Sequence, residues 1–275
     1  MSVFDRLERA SQPKAPIIAI YGTPGVGKTS LATEFPEPFY VYVDGEEPPE
    51  GVDLPEHNKY EVASYEALLQ VFTDFLTEEH DRKTLIIDSF DKVEPMVWAA
   101  TCARNGWDSI DSNDKGSPTA FGKGYLAADY EWGDIHQALS AIAKSGVNVV
   151  IILHSETKGH KDPLVDDYDR YRPKLQRRAL DLLIENCKAL LFLNRRTSVK
   201  QVEAGFGGKK VSKPEGMSGG ERVIYTDERA GFLAKSRFKG MPASLPYREG
   251  SGFAELSKYF QAANDNGAAT SRKAA

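Results

Sequence analysis

The segment from Gly22 to Thr29, GTPGVGKT, combines glycines with a lysine and a threonine at the spacing G-x-x-x-x-G-K-T. Glycine lets the backbone turn sharply and direct several N–H groups inward, where they can surround phosphate oxygens. The lysine would pair with the β- and γ-phosphates, and the threonine hydroxyl would bind Mg²⁺. An apolar run, IIAIY, precedes the segment and SLATEF follows it, as expected for a strand and a helix. This context predicts a P-loop that binds a nucleoside triphosphate.

We predict that the nucleotide contacts the whole loop and the start of the following helix, whose positive end attracts phosphate. Lys28 is the predicted catalytic cation, Thr29 is a predicted metal ligand, and ATP and Mg²⁺ are the predicted cofactors. The complete predicted contact set is Gly22, Thr23, Pro24, Gly25, Val26, Gly27, Lys28, Thr29 and Ser30.

A second candidate metal ligand, Asp88, ends the apolar run TLII. A buried parallel strand would deliver this carboxylate beside the P-loop, where it could bind Mg²⁺ through water. An acidic helix cap after a core strand is the alternative reading. We favour the metal role because a P-loop needs such a carboxylate and Asp88 is the best placed. Ser89 follows it, so a carboxylate that activates water must come from elsewhere.

Acidic residues follow the apolar run FYVYV, namely Asp44, Glu46 and Glu47. Ligands of open parallel sheets bind at the carboxyl ends of strands. A carboxylate there could orient the attacking water. We select Glu46 as the catalytic residue and Glu47 as the second choice, and a solvated acidic turn is the alternative reading.

His154 is the first polar residue after the apolar run 147–153. At a strand end it could touch the γ-phosphate or its water and transmit the nucleotide state to the next loop. A hydrogen-bonded structural histidine is the alternative reading. His160 lies in the same loop without a nearby cysteine, so metal ligation is not expected.

The elements that position these residues follow from the hydrophobic pattern. Short apolar runs alternate with longer segments of helical period, which predicts an α/β fold with a parallel sheet between helices. Helices are predicted after a Ser64 cap, after Asp88, before Gly146 and over 175–187. The predicted parallel strands are 17–21, 39–43, 84–87, 147–153 and 189–193. Runs of period two at 199–202, 223–226 and 231–235 predict antiparallel additions to the sheet.

We divide the chain into a lead-in, one large domain and a disordered tail. The predicted limits are 1–16, 17–263 and 264–275, with a hairpin insertion at about 197–226 whose tip, 205–220, is expected to be mobile. Two long stretches without periodicity, 105–124 and 155–172, are predicted to be functional loops.

Composition limits the possible partners. The 275 residues include 35 Lys and Arg and 40 Asp and Glu, a formal charge of −5, so a nucleic-acid surface must be local. Cys102 and Cys187 lack a CxxC spacing, and neither a disulfide nor a zinc site is expected. Without a signal peptide or an apolar stretch of about 18 residues, we expect a cytoplasmic protein with no membrane partner.

The order of these motifs resembles the RecA-like core: a P-loop, an acidic strand end, Asp88-Ser89, a long loop, a strand that ends at His154, a second long loop and late antiparallel strands. More narrowly, it resembles phage-encoded ATP-binding proteins of the RecA/AAA type, some of which act as single-strand annealing recombinases. The resemblance covers roughly residues 17–246. It implies a RecA-like P-loop NTPase in recombination or annealing, in the cytoplasm of a bacterial host, with single-stranded DNA and a single-strand binding protein as partners.

The resemblance also assigns residues. It places the catalytic carboxylate at Glu46 and the DNA-binding loops at 105–124 and 155–172. Basic residues that enter the neighbour's nucleotide site correspond to Lys235 and Arg237, which would share a strand face and act only in a head-to-tail homo-oligomer. The solvated face of an edge strand is the alternative reading. The chain departs from bacterial recombinases at His154, where those proteins carry Gln.

The segment 155–172 mixes cations with Tyr168 and Tyr171, which suits phosphate contacts and base stacking on single strands. Its cations, with the one that follows it, are Lys158, Lys161, Arg170, Arg172 and Lys174. Acidic residues bring the segment close to neutral, so a solvated loop or a protein contact is the alternative. In the segment 105–124, Trp107 and Phe121 could stack on bases or fold back on the core. A further basic group comprises Lys209, Lys210, Lys213, Arg195 and Arg196.

Two functional hypotheses follow. The first is a DNA-stimulated ATPase that acts on single strands. The second is a nucleotide-gated protein-interaction module without DNA activity. A small-molecule kinase is less favoured because the sequence shows no compact Arg-rich lid.

Overall fold

The computed structural model describes residues 15–43, 45–48, 50, 59–196, 198–204, 209–215 and 220–260, with the backbone alone in 198–204 and 209–215. Asp44, the side chains of Lys209, Lys210 and Lys213, the predicted tail and most of the predicted lead-in therefore lie outside the described residues. The domain limits that we derived from the sequence stay predictions.

A ten-stranded sheet forms the centre of the chain, in the order β12-β10-β7-β1-β5-β4-β2-β3, with β11 paired to β7 and β6 paired to β5. The strands from β7 to β3 in this order run parallel, whereas β10, β11 and β12 are antiparallel additions. The strands are β1 Ile17–Gly22, β2 Pro38–Val43, β3 Lys59–Val62, β4 Thr84–Asp88, β5 Asn148–Asp162, β6 Val165–Pro173, β7 Ala189–Arg195, β8 Ser198–Ala204, β9 Lys209–Glu215, β10 Arg222–Tyr225, β11 Lys235–Ser236 and β12 Ser244–Tyr247. This architecture confirms the predicted α/β class with late antiparallel strands.

Helices cover both faces of the sheet. They are α1 Lys28–Thr33, α2 Tyr65–Thr77, α3 Phe90–Asn105, α4 Lys123–Ala127, α5 Asp129–Lys144, α6 Arg177–Asn186 and α7 Gly252–Ser257. The predicted Ser64 cap is confirmed, since its side chain accepts a hydrogen bond from the Ala67 N–H at 3.1 Å. This cap fixes where α2 begins, since Ser64 itself has an extended backbone and the helix starts at Tyr65.

The core consists of one apolar cluster on each face of the sheet. Along β1, Ala19 and Tyr21 belong to the cluster under α2, α3, α5 and α6, whereas Ile18 and Ile20 belong to the cluster under α1 and α7. Successive strand residues point to opposite faces, so a strand that is buried on both sides must be apolar throughout. This explains why the central strands were visible in the sequence as continuous apolar runs.

The prediction of an irregular loop at 155–172 is wrong. β5 continues past His154 to Asp162 and pairs with β6 in a long antiparallel hairpin. The Asp162 side chain accepts a hydrogen bond from the Leu164 N–H at 2.8 Å and so stabilises the two-residue turn. Both faces of this hairpin carry polar side chains, and therefore no alternation of apolar residues marked it as a strand pair.

Two predicted late strands are also corrected. Residues 199–202 do not join the main sheet, because β8 pairs with β9 in a separate two-stranded sheet that includes part of the predicted mobile tip. The predicted strand 231–235 is reduced to β11, which begins at Lys235. Strands β3 and β12 were missed, since three of the four β3 residues are exposed and β12 contains Pro246.

None of the helices within the described ranges is both long enough and apolar enough to span a membrane.

Candidate functional site

The predicted site residues converge at one edge of the sheet, where the parallel strands end. Gly22 at the end of β1 lies opposite His154 on β5, and Asp88 ends β4, the next strand along. Glu46 follows β2, and its N–H donates to the Val43 carbonyl at 3.2 Å. Parallel strands bring their carboxyl ends to the same edge, which is the reason that residues distant in sequence meet here.

The P-loop connects β1 to α1 in a conformation that requires glycine. A Cβ atom on Gly22 would lie 2.1 Å from the Leu193 carbonyl oxygen, and Gly25 and Gly27 have positive φ angles of 70° and 101°. Lys28 folds back so that its Nζ donates to the carbonyl oxygens of Gly22 at 3.1 Å and Thr23 at 3.3 Å. Its ammonium group therefore lies over the loop that would surround the phosphates. The Val26 side chain is buried in the core, so this residue can offer only its backbone to a ligand.

A group of three hydroxyl and carboxyl side chains forms the candidate metal site. Thr29 Oγ1 donates to Asp88 Oδ2 at 3.0 Å, and the Tyr40 hydroxyl donates to the same oxygen at 2.5 Å. Burial raises the pKa of Asp88, while the hydrogen bonds from Tyr40 and Thr29 oppose the rise. Burial and the neighbouring Asp88 also raise the pKa of Tyr40, which keeps its hydroxyl proton as a donor.

These oxygen atoms fit Mg²⁺. The ion favours hard oxygen ligands and is usually held by one or two side chains, with phosphate oxygens and water completing the octahedron. Within the described ranges, no group of three or more His, Cys, Asp or Glu side chains is arranged as a metal cage. Thr29 and Asp88 together therefore provide the kind of partial site that a nucleotide-bound magnesium ion requires.

His154 is held by Asp91, a residue that the sequence did not single out. The His154 backbone N–H donates to Asp91 Oδ1 at 2.9 Å, and its ring Nδ1 lies 3.0 Å from Asp91 Oδ2. The hydrogen bond with Asp91 raises the pKa of His154, although partial burial opposes this. His154 is hydrogen-bonded, as the alternative reading expected, but the prediction that a strand ends at this residue is wrong, because β5 continues to Asp162. Its position opposite Gly22, where β1 ends, is the one that a phosphate-sensing residue would need.

Glu46 and Glu47 lie in different surroundings. Glu46 Oε1 is 3.9 Å from Lys92 Nζ. Burial lowers the pKa of Lys28, and the negative charge of Glu46 is one of those that oppose this, while the same charge adds to the rise in the pKa of His154 that the Asp91 hydrogen bond causes. Glu47 instead lies 3.6 Å from Lys59 Nζ in an exposed ion pair. Of these two glutamates, Glu46 is thus the one whose charge acts on the P-loop lysine and on His154.

Lys235 and Arg237 lie away from this chain's own P-loop. β11 pairs Lys235 with Leu190 near the start of β7, whereas the P-loop begins beside Leu193 further along that strand. Lys235 Nζ is buried without a hydrogen-bond partner in the described part of the chain, and burial lowers the pKa of this amine. Arg237 is exposed and lies one residue beyond β11. Neither side chain belongs to the site within one subunit.

Arg222 is a basic residue of the site that sequence reasoning missed. A Cβ atom on Gly27 would lie 2.7 Å from Arg222 Nη1, so the guanidinium group packs directly on the P-loop. It also pairs with Glu249 at 3.2 Å and lies 5.8 Å from the centre of the Tyr247 ring. A strand antiparallel to β7 must begin where the parallel strands end, and this geometric rule could have placed Arg222 at the edge.

Comparison with known proteins identifies one family. A family model described as an AAA domain matches residues 14–238, which is most of the chain. No curated protein matches the sequence. The matched range contains the P-loop, Asp88 and His154.

Arg222 lies on the β7 side of the P-loop, whereas Asp88 and His154 lie on the β5 side. We therefore expect Arg222 to contact the part of the nucleotide that lies beyond the β-phosphate. Arg222→Ala should weaken ATP binding about tenfold, the value of one charged hydrogen bond, and change the binding of inorganic tripolyphosphate far less. Calorimetric titration of both ligands measures the difference. Arg248→Ala, which removes an exposed nearby charge, is the control. Equal losses for the two ligands would contradict this placement of Arg222.

Proposed function

The chain belongs to the AAA-domain family of P-loop nucleotide-binding proteins, and on that premise we propose that it hydrolyses ATP with Mg²⁺ in association with single-stranded DNA. The observation that carries the ATPase proposal is the contact between Thr29 and Asp88 directly beside Lys28. A hydroxyl, a carboxylate and an ammonium group in this arrangement match the needs of a magnesium-bound triphosphate.

Each residue of the site has a distinct task in the proposed reaction. Loop N–H groups and Lys28 hold the phosphates, and Mg²⁺ bound by Thr29 and, through water, by Asp88 would neutralise developing charge. Glu46 orients and deprotonates the attacking water. His154 approaches the terminal phosphate from within β5, at the position opposite Gly22. Phosphoryl transfer depends mainly on such positioning and charge stabilisation.

We expect Glu46→Gln to lower the rate of ATP hydrolysis by about 100-fold, since general-base catalysis contributes factors of that order. ATP binding should remain, because Gln keeps the shape of the side chain. Phosphate release measures the rate. Glu47→Gln is the matched control, because it makes the same change one residue away in an exposed ion pair. A large loss in the control alone would transfer the role to Glu47.

The β5–β6 hairpin supports the DNA part of the proposal because one of its faces carries basic side chains beside aromatic rings. Opposed residues of an antiparallel pair share a face, and the register opposes Lys158 to Arg170 and His160 to Tyr168. Asp169 lies opposite Gly159 on the other face. Arg170 pairs with Glu228 and Arg172 with Glu156. Lys158 is therefore the cation of this face that is best placed to meet a nucleic-acid strand, together with the rings of His160 and Tyr168.

The loop before α4 adds an exposed aromatic residue. The Phe121 side chain is 76% exposed and its backbone has a φ angle of 58°, in the left-handed region that favours glycine. Such conformations in other residue types concentrate at functional sites. Trp107 is half-buried, and Trp98 packs edge-on against Tyr125 within the same region. Phe121 is thus the better of the two predicted residues for stacking on a base.

Single-stranded DNA should raise the ATPase rate of the parent protein at low salt, and Lys158→Glu should reduce that stimulation several-fold because it places a negative charge on the cationic face. Lys161 lies two residues from Gly159 and therefore on the opposite face of the hairpin from Lys158. Lys161→Glu makes the same charge change on that face and serves as the control. The measurement is phosphate release with and without an oligonucleotide. Equal effects of the two substitutions would exclude a face-specific DNA contact.

A nucleotide-gated protein-interaction module is the second candidate. The observation that favours it is the apolar hairpin turn, where Leu164 is 89% exposed and Val165 is 58% exposed. Exposed apolar groups of this kind are typical of protein contacts. Slow ATP hydrolysis that single-stranded DNA does not stimulate would support this candidate and would contradict the DNA proposal.

Assembly belongs to the same proposal. In a head-to-tail homo-oligomer, the edge that carries β11 would face the P-loop of the next subunit. Arg237 suits a role in the neighbour's site because its side chain is exposed, whereas the Lys235 amine is buried. The resemblance to phage-encoded RecA-like proteins adds three further parts to this proposal. They are a single-strand binding protein as a partner, a role in recombination or annealing, and a location in the cytoplasm of a bacterial host.

A further inference from the structure

Asp91 holds His154 from the first turn of α3, directly after Asp88 and Ser89. It accepts the backbone N–H of His154 on one oxygen and faces the ring Nδ1 with the other, at 2.9 and 3.0 Å. The Asp91 side chain is 4% exposed and that of His154 is 32% exposed. Two contacts to one residue, one of them to the main chain, fix both the position and the rotation of the imidazole ring.

The contact determines where the second ring nitrogen points. Nδ1 and Nε2 lie on opposite sides of an imidazole ring, so a ring whose Nδ1 faces α3 directs Nε2 away from that helix. Parallel pairing with β1 holds the His154 backbone opposite Gly22 at the start of the P-loop. Nε2 makes no hydrogen bond to any described residue and is therefore available to a ligand.

The protonation state of the ring decides what Nε2 can do. When Nδ1–H donates to Asp91 in a neutral ring, Nε2 carries a lone pair and accepts hydrogen bonds. A lone pair repels a phosphate oxygen. In the imidazolium form both nitrogens are donors, and Nε2–H can bind the terminal phosphate with charge assistance. Protonation thus converts this position from one that opposes a γ-phosphate to one that binds it.

Charged groups on three sides act on the ring. Asp91 faces it from α3, Glu46 from the segment after β2, and Lys28 from the P-loop. The hydrogen bond with Asp91 is the largest influence and raises the pKa of His154, and Glu46 acts in the same direction while partial burial and Lys28 oppose. Burial alone would raise the pKa of Asp91, but its hydrogen bonds with His154 bring it below the ordinary value. The pair is therefore stabilised as carboxylate and imidazolium.

We propose that Asp91 is a positioning residue that presents His154 Nε2–H to the terminal phosphate, and that the site prefers ATP over ADP more strongly while the His154 ring is protonated. This inference rests on the proposed nucleotide site but not on hydrolysis. The imidazolium is present below the His154 pKa and is lost as the pH rises through it. Preference for ATP over ADP must then fall as the pH rises.

The test compares equilibrium binding of ADP and a slowly hydrolysed ATP analogue across the pH range, together with NMR titration of the His154 ring. In the parent protein, the affinity ratio should drop about tenfold as the ring loses its proton, the value of one charge-assisted hydrogen bond. In His154→Gln the ratio should not follow the pH. That variant also identifies the His154 signal in the spectrum.

Asp91→Asn keeps the size of the side chain but removes its charge, so the ring should titrate at lower pH than in the parent and the drop in affinity ratio should move with it. Asp91→Glu should restore most of the parent behaviour. Glu94→Gln, the same acid-to-amide change one turn along α3, is the control for loss of a buried carboxylate. It should leave both curves near the parent position.

Two results would overturn the inference. One is a ring titration that is unchanged in Asp91→Asn, and the other is an affinity ratio that ignores the pH in the parent although the ring titrates. A parent protein that binds ATP with this pH dependence but never hydrolyses it would contradict the proposed ATPase function and leave the role of Asp91 standing.

Discussion

Main-chain hydrogen bonds between β1 and β5 hold Gly22 opposite His154, and the other parts of the site are placed relative to that pair. β4 lies beside β5 and delivers Asp88, α3 begins immediately afterwards and delivers Asp91, and α1 begins at Lys28. A shift of one residue in this register would turn the strand side chains to the opposite face. Burial on both faces of the sheet resists such a shift, and in this way the core fixes the geometry of a site that lies at its edge.

The site concentrates charges that need one another. Asp88 and Asp91 are buried, and isolated buried carboxylates are costly unless they are paired or hydrogen-bonded. Asp88 receives hydroxyl hydrogen bonds from Tyr40 and Thr29, and Asp91 receives two from His154. Among the described residues, the Lys28 ammonium group donates hydrogen bonds to carbonyl oxygens of its own loop, and it remains able to engage an anion. A triphosphate with a magnesium ion would add charges of both signs to an arrangement that already holds complementary groups.

Patterns local in sequence predicted most of the central sheet and part of the site. The P-loop, Asp88, Glu46 and His154 were each visible as a polar residue or glycine cluster after an apolar run. Tyr40, Asp91 and Arg222 were not, because each acts through a contact with a residue far away in the sequence, and only the folded chain brings the partners together. The β5–β6 hairpin was missed for a different reason, since its stability comes from main-chain pairing and its side chains lack apolar alternation. The role of Lys235 and Arg237 in a neighbour's site was assigned from a resemblance. It stays a prediction, because both residues lie away from the P-loop of their own subunit.

We propose that these residues form one magnesium-dependent nucleotide site. Equilibrium binding of ATP to the parent protein and to Lys28→Ala, each with Mg²⁺ and with a chelator, tests it directly. Loss of the ammonium group removes charged hydrogen bonds to phosphate and should weaken binding by at least about tenfold, while thermal unfolding without nucleotide stays close to the parent. Chelation should weaken binding to the parent as well. ATP affinity that changes neither with the substitution nor with chelation would contradict the account.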